Sequence, residues 1–408
     1  MLKKLTVGII TVALGASLLA GCSNDKGNAD GKVTLELYNN KQESIETYKG
    51  LIKEFESQNP NIEIKMETGP ETIITTGLTK NDLPDLMSIG GSPLYGELGR
   101  AGVLYDFSDN DMLKKINSTY VDMIGDLVGP EKDGVYGLPY AANAIPVIYN
   151  KTKFEELGLK VPKTWDEFIA TLEKVKASGE TPIYFTLKDS WTALQWYTLE
   201  ANIAGKDFAE KKNAGKTTFV ESHDQVADKM LTLLKYGHKD NFGVGYGDGN
   251  NAFANGESVF YLQGNWAIPA IEKANPNIKL GVFPLPATNK SDQSTLISSV
   301  DVLLAMNKST EHKDEAMKFI KFMMDEEVSQ KYIDEQKALP TIKGVLQQDP
   351  SFEGIKENLE SGNIVGSPEY KYPVGMAPAN IIQEFLIEKD KKVFLKKMDK
   401  EWEKISNR

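Results

Sequence analysis

The chain has 408 residues, and its 47 Lys and Arg against 58 Asp and Glu give a formal net charge of −11. Such an acidic balance offers no electrostatic reason to bind nucleic acid or to adhere to anionic lipid. A single cysteine leaves no partner for a disulfide and no thiolate cluster for a metal.

In chain order, Lys3 and Lys4 form a short positive segment, and a mostly apolar stretch follows from Leu5 to Ala20. It is shorter than the ~20 apolar residues of a membrane-spanning helix and has the form of a signal peptide over residues 1–21. Leu19-Ala20-Gly21-Cys22 resembles the lipobox of bacterial lipoproteins. That resemblance implies cleavage before Cys22 and diacylation of its thiol, and two acyl chains anchor where one does not. Residues 22–31 are polar and aperiodic, a linker between anchor and domain. The remaining length suits two or three domains at ~150 residues each.

Val33 to Tyr38 alternates apolar and polar residues and predicts a strand. Ile45, Tyr48, Leu51, Ile52 and Phe55 have helical spacing within Ser44 to Phe55. A second strand over Asn61 to Met66, a helix over Glu71 to Leu78 and a third strand over Asp85 to Ile89 follow. This β-α-β-α-β order predicts an α/β layer on a mainly parallel sheet. Ile145 to Tyr149 predicts a strand, and Lys151 to Leu157 a helix closed by Gly158. Thr164 and Glu167 form a capping box for a helix that puts Trp165, Phe168, Ile169, Leu172 and Val175 on one face. Strands are predicted at Ser258–Leu262, Leu280–Phe283 and Val300–Met306. Helices are predicted at His312–Met324 and Glu327–Ile333, and a last one carries Phe394, Met398, Trp402 and Ile405 on one stripe. Two α/β lobes joined by several chain crossings fit this order.

Several catalytic look-alikes fail on spacing. Gly215-Lys216-Thr217 lacks the second glycine of a phosphate loop, since Glu210 stands in its place. Asp248 opens a calcium-loop pattern that Ala252 and Phe253 break. His223, His238 and His312 show no zinc-binding spacing. No cofactor and no metal are expected.

Tyr149-Asn150-Lys151-Thr152-Lys153-Phe154-Glu155-Glu156-Leu157-Gly158-Leu159, followed by Val161-Pro162-Lys163-Thr164-Trp165-Asp166-Glu167-Phe168, resembles the signature of the family 1 extracellular solute-binding proteins. These serve carbohydrate importers of the ABC type. Phe253 to Glu257 leading to Gln263-Gly264-Asn265-Trp266, Phe283-Pro284-Leu285-Pro286, and Ala338 to Val345 agree in order. The resemblance implies a two-lobed α/β fold of the periplasmic-binding-protein type, with ligand in the cleft. One lobe would hold residues 31–142 and 294–344, and the other residues 143–293 and 345–408. It also implies a monomeric, lipid-anchored receptor on the outer side of the cell membrane, delivering its ligand to two permease subunits driven by a cytoplasmic ATPase. Tyr38 to Glu43 and Ser298 to Asp301 are most similar to binders of multiple sugars, raffinose and isomalto-oligosaccharides.

A pyranose presents an apolar C–H face and a rim of hydroxyls, so its site needs aromatic plates and fixed donors and acceptors. Trp266, after a strand, and Trp191, at a helix entrance, are the candidate plates; core packing is the alternative for both. Trp165 and Trp402 lie on core stripes. Asp301 interrupts an apolar strand, which fits a ligand contact or a structural ion pair. Glu43 and Asn40 are the matching candidates from the first loop, with helix capping as their alternative. Tyr140 and Met376 are further candidates that hinge packing would equally explain. The expected ligand is a short α-linked oligosaccharide. A secreted glycosidase or transglycosylase using an Asp/Glu pair, and a receptor for a non-sugar solute such as a polyamine, are the competing readings.

Overall fold

The computed structural model describes residues 31–129, 132–290, 294–373 and 375–407. The signal peptide, Cys22, the linker up to residue 30 and the lobe boundary at Gln293 lie outside the described residues.

Eleven strands form two sheets among the described residues. They are β1 (Val33–Asn39), β2 (Ile62–Thr68), β3 (Leu86–Ile89), β4 (Leu138–Ala144), β5 (Val147–Asn150), β6 (Ile183–Tyr184), β7 (Phe260–Tyr261), β8 (Leu280–Phe283), β9 (Leu296–Met306), β10 (Leu339–Pro340) and β11 (Ile364–Val365). The larger sheet runs β10-β4-β9-β3-β1-β2, with β11 on β9; the smaller runs β6-β7-β5-β8. Each sheet carries its own helices, and the two make the two lobes.

The larger sheet is mixed rather than mainly parallel. β1 pairs parallel with β2 and β3, as the β-α-β order requires, but β9 pairs antiparallel with β3 and β4. The reason is topological. β4 carries the chain out towards β5 in the second sheet, with only Ile145 and Pro146 between them, and β9 brings it back alongside. Ile145 N still donates to Ile297 O at 3.0 Å, so the crossing strands stay paired at the junction.

The β4–β9 ladder contains two compensating bulges. Pro139 faces Leu303 and Ala141 faces Val302, leaving Tyr140 extra; Ala142 then faces Val300, leaving Asp301 extra. A bulge resets the alternation of faces. Val302, Leu304 and Met306 join the core beneath the helices Ile45–Gln58, Lys313–Met323 and Glu326–Gln336, whereas Val300 joins the core on the opposite face. Tyr140 is turned into the first of these cores, fully buried, with its ring 5.0 Å from that of Tyr332. It packs that core.

The second lobe packs its short strands against the helices Trp165–Ala177, Asp224–Leu234, Pro378–Glu388 and Lys391–Ser406. The capping box forms: Thr164 accepts from the Glu167 backbone, and the Glu167 side chain accepts from Thr164 N. Trp165 and Trp402 are buried in this core.

Candidate functional site

The loop after β1 is fixed by Asn39, which is fully buried. Its Oδ1 accepts from Lys41 N at 3.0 Å, and its Nδ2 donates to Ser44 Oγ at 3.0 Å and Lys41 O at 3.2 Å. The loop lies at the carboxyl end of a parallel strand, where open α/β sheets bind ligands. It directs Lys41 Nζ to Asp301 Oδ1 at 2.6 Å, with Glu43 Oε1 3.6 Å away. Asn143 Nδ2, on β4, donates to the same Asp301 oxygen at 2.9 Å. The Lys41 and Asp301 side chains are only 16% and 14% exposed. Burial pulls the Lys41 ammonium down, but Asp301 and then Glu43 outweigh it and hold its pKa above the ordinary lysine value. A desolvated pair of this kind adds little net stability, although losing one partner is costly.

Asp301 therefore has its ion pair. Glu43 is 48% exposed and keeps its carboxylate accessible. Capping does not explain Glu43 or Asn40, because Ser44 is the N-cap of the next helix and that cap has no side-chain hydrogen bond. Asn40 Oδ1 and Asn143 Oδ1 are buried acceptors without a partner among the described residues.

The second lobe presents aromatic rings. Trp191 sits on the turn Ser190–Thr192 and is 43% exposed, unlike the buried Trp196 further along the chain. Its ring lies 5.1 Å from Tyr246 and 6.5 Å from Trp266. Asp189 Oδ2 accepts from Tyr246 N at 2.7 Å, which ties the two loops together. Trp266 follows β7 on the turn Asn265–Ala267 and packs against Ile145, Leu194 and Ile297 at the junction of the lobes. Gln263 Nε2 donates to Thr186 Oγ1 at 2.7 Å, and its Oε1 is a further buried acceptor without a partner among the described residues.

Electrostatics link the two walls. Burial first, and then the charges of Glu43 and Asp301 against an opposing hydrogen bond from Asn250, push the Tyr246 phenol up to about 12. Tyr370 borders the same region: burial raises its phenol, Ser299 opposes, and Glu369 and Asp301 raise it further. Thus Asn40, Glu43 and Asp301 gather on one side, and Trp191 and Trp266 on the other. Met376 instead packs against the core of the second lobe. Lys41, Asn143, Tyr246 and Tyr370 went unmarked in the sequence. Lys41 stood inside a quoted motif, but only the 260-residue separation closed by the fold reveals its partner Asp301. The calcium-loop look-alike at Asp248 lies within the helix Tyr246–Ala254, and no cluster of acidic, His or Cys side chains suited to a metal occurs among the described residues.

The chain matches the family of bacterial extracellular solute-binding proteins over residues 50–358. It is 32% identical over 354 residues to the multiple sugar-binding protein of Streptococcus mutans, covering 83% of each chain. It is 24% identical to the melibiose/raffinose/stachyose-binding protein MelE of Bacillus subtilis, over 77% of this chain and 76% of that one. The solved structure of RafE in complex with raffinose aligns with a TM-score of 0.80 at 28% identity, over 92% of this chain and all of the other (100%). The two-lobed α/β architecture is that of the solute-binding proteins. The chain belongs to the bacterial extracellular solute-binding proteins. It is a binding protein and not an enzyme, which sets aside the glycosidase reading. No helix among the described residues is long and apolar enough to cross a membrane.

Proposed function

We propose that this protein captures short α-linked oligosaccharides, of the isomalto-oligosaccharide (α-glucoside) or raffinose type, and delivers them to an ABC importer. The observation that carries this reading is the pairing of an aromatic wall, Trp191, Tyr246 and Trp266, with a wall of anchored polar groups, Lys41, Asn143 and Asp301. Rings suit the C–H faces of pyranoses, and the accessible Glu43 carboxylate suits donating hydroxyls. The carboxylates Glu43 and Asp301 outnumber Lys41, which disfavours uronates and sugar phosphates. The names of the relatives, with multiple sugars, melibiose, raffinose and stachyose, support the same class. The lobes divide at residues 31–142 with 294–344 and 143–293 with 345–408, and closure by hinge rotation sandwiches the sugar. Cys22 is diacylated and tethers a monomer to the outer side of the membrane, where the loaded form docks on two permease subunits driven by a cytoplasmic ATPase.

Deleting the protein is expected to abolish uptake of the sugar at low concentration, and Cys22→Ala to leave it uncleaved or release it from the membrane fraction. Unchanged uptake in the deletion strain contradicts the transport reading; retained acyl label on the Cys22→Ala protein contradicts the anchor.

A further inference from the structure

Gly264, two residues before the Trp266 plate, has no conformational need to be glycine. Its φ of −77° and ψ of 162° are ordinary extended values that any L-residue adopts. The constraint comes from its neighbour. A Cβ at this position would stand 2.0 Å from Trp266 Cζ3, 2.1 Å from Cη2 and 2.3 Å from Cε3. Carbon atoms in contact sit at ~3.5–4.0 Å, so the outer edge of the indole occupies the space a side chain would fill.

The ring has little freedom to yield inward. It is packed against the buried cluster of Ile145, Leu194 and Ile297. The backbone between Gly264 and Trp266 is pinned as well. Asn265 Oδ1 accepts from Ala144 N at 2.6 Å, and its Nδ2 donates to Lys337 O at 2.7 Å. A side chain at 264 therefore presses on the indole rather than on the pinned loop.

We propose that Gly264 is the positioning residue for the Trp266 plate: its empty side-chain volume seats the indole and sets its distance and tilt towards Trp191. Gly264 touches no ligand itself and acts through Trp266. The consequence for affinity rests on the proposed sugar-binding function; the seating of the ring does not.

The test uses Gly264→Ala alone and combined with Trp266→Ala, with raffinose titrated by calorimetry and near-ultraviolet circular dichroism recorded without sugar. Gly264→Ala is expected to weaken raffinose binding by about tenfold, the scale of a lost aromatic contact. In the Trp266→Ala background the same change is expected to alter affinity by less than about twofold, because the ring it displaces is gone. The sugar-free tryptophan spectrum is expected to change on Gly264→Ala and to be unaffected by it in the Trp266→Ala background. Should Gly264→Ala lower the melting temperature, it is expected to lower it no further in the Trp266→Ala background than Trp266→Ala does alone. An equal affinity loss in both backgrounds, an unchanged spectrum, or a melting temperature lowered by Gly264→Ala equally in both backgrounds overturns the proposal. If the wild type binds no raffinose, the assignment of that sugar fails, and the spectrum alone decides whether Gly264 seats the ring.

Discussion

The two walls of the cleft are held by different physics. The polar wall is a hydrogen-bonded and ion-paired network: Asn39 holds the loop, Lys41 meets Asp301, and Asn143 meets the same carboxylate oxygen. It stands on a sheet whose paired bulges turn Asp301 away from the apolar alternation of β9. The aromatic wall sits on short turns and is placed by packing, with Trp191 half in solvent and Trp266 seated on Gly264. In the proposed sugar site the polar wall fixes direction and charge, and the aromatic wall supplies contact area. Removing a group from the first should damage both the fold and the site, whereas removing one from the second should damage mainly the site.

The largest expected effect is from Asp301→Ala. It leaves the Lys41 ammonium buried without its main partner, which should lower unfolding stability by about 3 kcal/mol and abolish measurable sugar binding. Urea unfolding and calorimetry check the two parts; loss of affinity at unchanged stability would show that the polar wall is no more built in than the aromatic one. Trp266→Ala should cost roughly 1.5 kcal/mol of sugar binding, about tenfold, with a smaller effect on unfolding.

Alkaline titration sharpens the contrast. The folded pKa of Lys41 is raised, so its contribution to stability is fully present below the ordinary lysine value of ~10.4 and is lost as pH rises through the folded value above it. The raised phenol of Tyr246 acts in the same direction. The stability difference between wild type and Lys41→Met should therefore be flat from neutral pH to about 10 and shrink above it. A difference that shrinks below pH ~9 contradicts the network. Trp191→Ala, at a ring already 43% exposed, should weaken binding only a few-fold and leave unfolding within about 0.5 kcal/mol. The smallest effect is expected from Tyr140→Phe, whose ring lies in the core beside Tyr332: sugar affinity should be unchanged by calorimetry.

The same contrast explains what was legible in the sequence. Local signals survived: the capping box at Thr164, the strand Leu280–Phe283 and the core stripe of Trp402 are set by residues close in the chain. Strand direction in the larger sheet was not legible, because β9 pairs with β4 and β3 only through the crossings between lobes. Asp301 announced itself as a carboxylate in an apolar run, yet its partners Lys41 and Asn143 come from distant segments that only the fold unites. The placement of Tyr140 was hidden for the same reason. Its bulge turns the ring into the core, and no residue type or spacing encodes a bulge shared between two strands. Tyr246 lay hidden beside the failed calcium-loop pattern, where it reads as one more helix residue.

The most direct test of a sugar held between the two walls is calorimetric titration with raffinose, isomaltotriose, panose and glucose of the wild type, Asp301→Ala and Trp266→Ala. One trisaccharide per wild-type chain, bound more tightly than glucose and weakened by both substitutions, is the expected result. Tight binding of glucose with no binding of any trisaccharide, or trisaccharide binding that neither substitution alters, would contradict it.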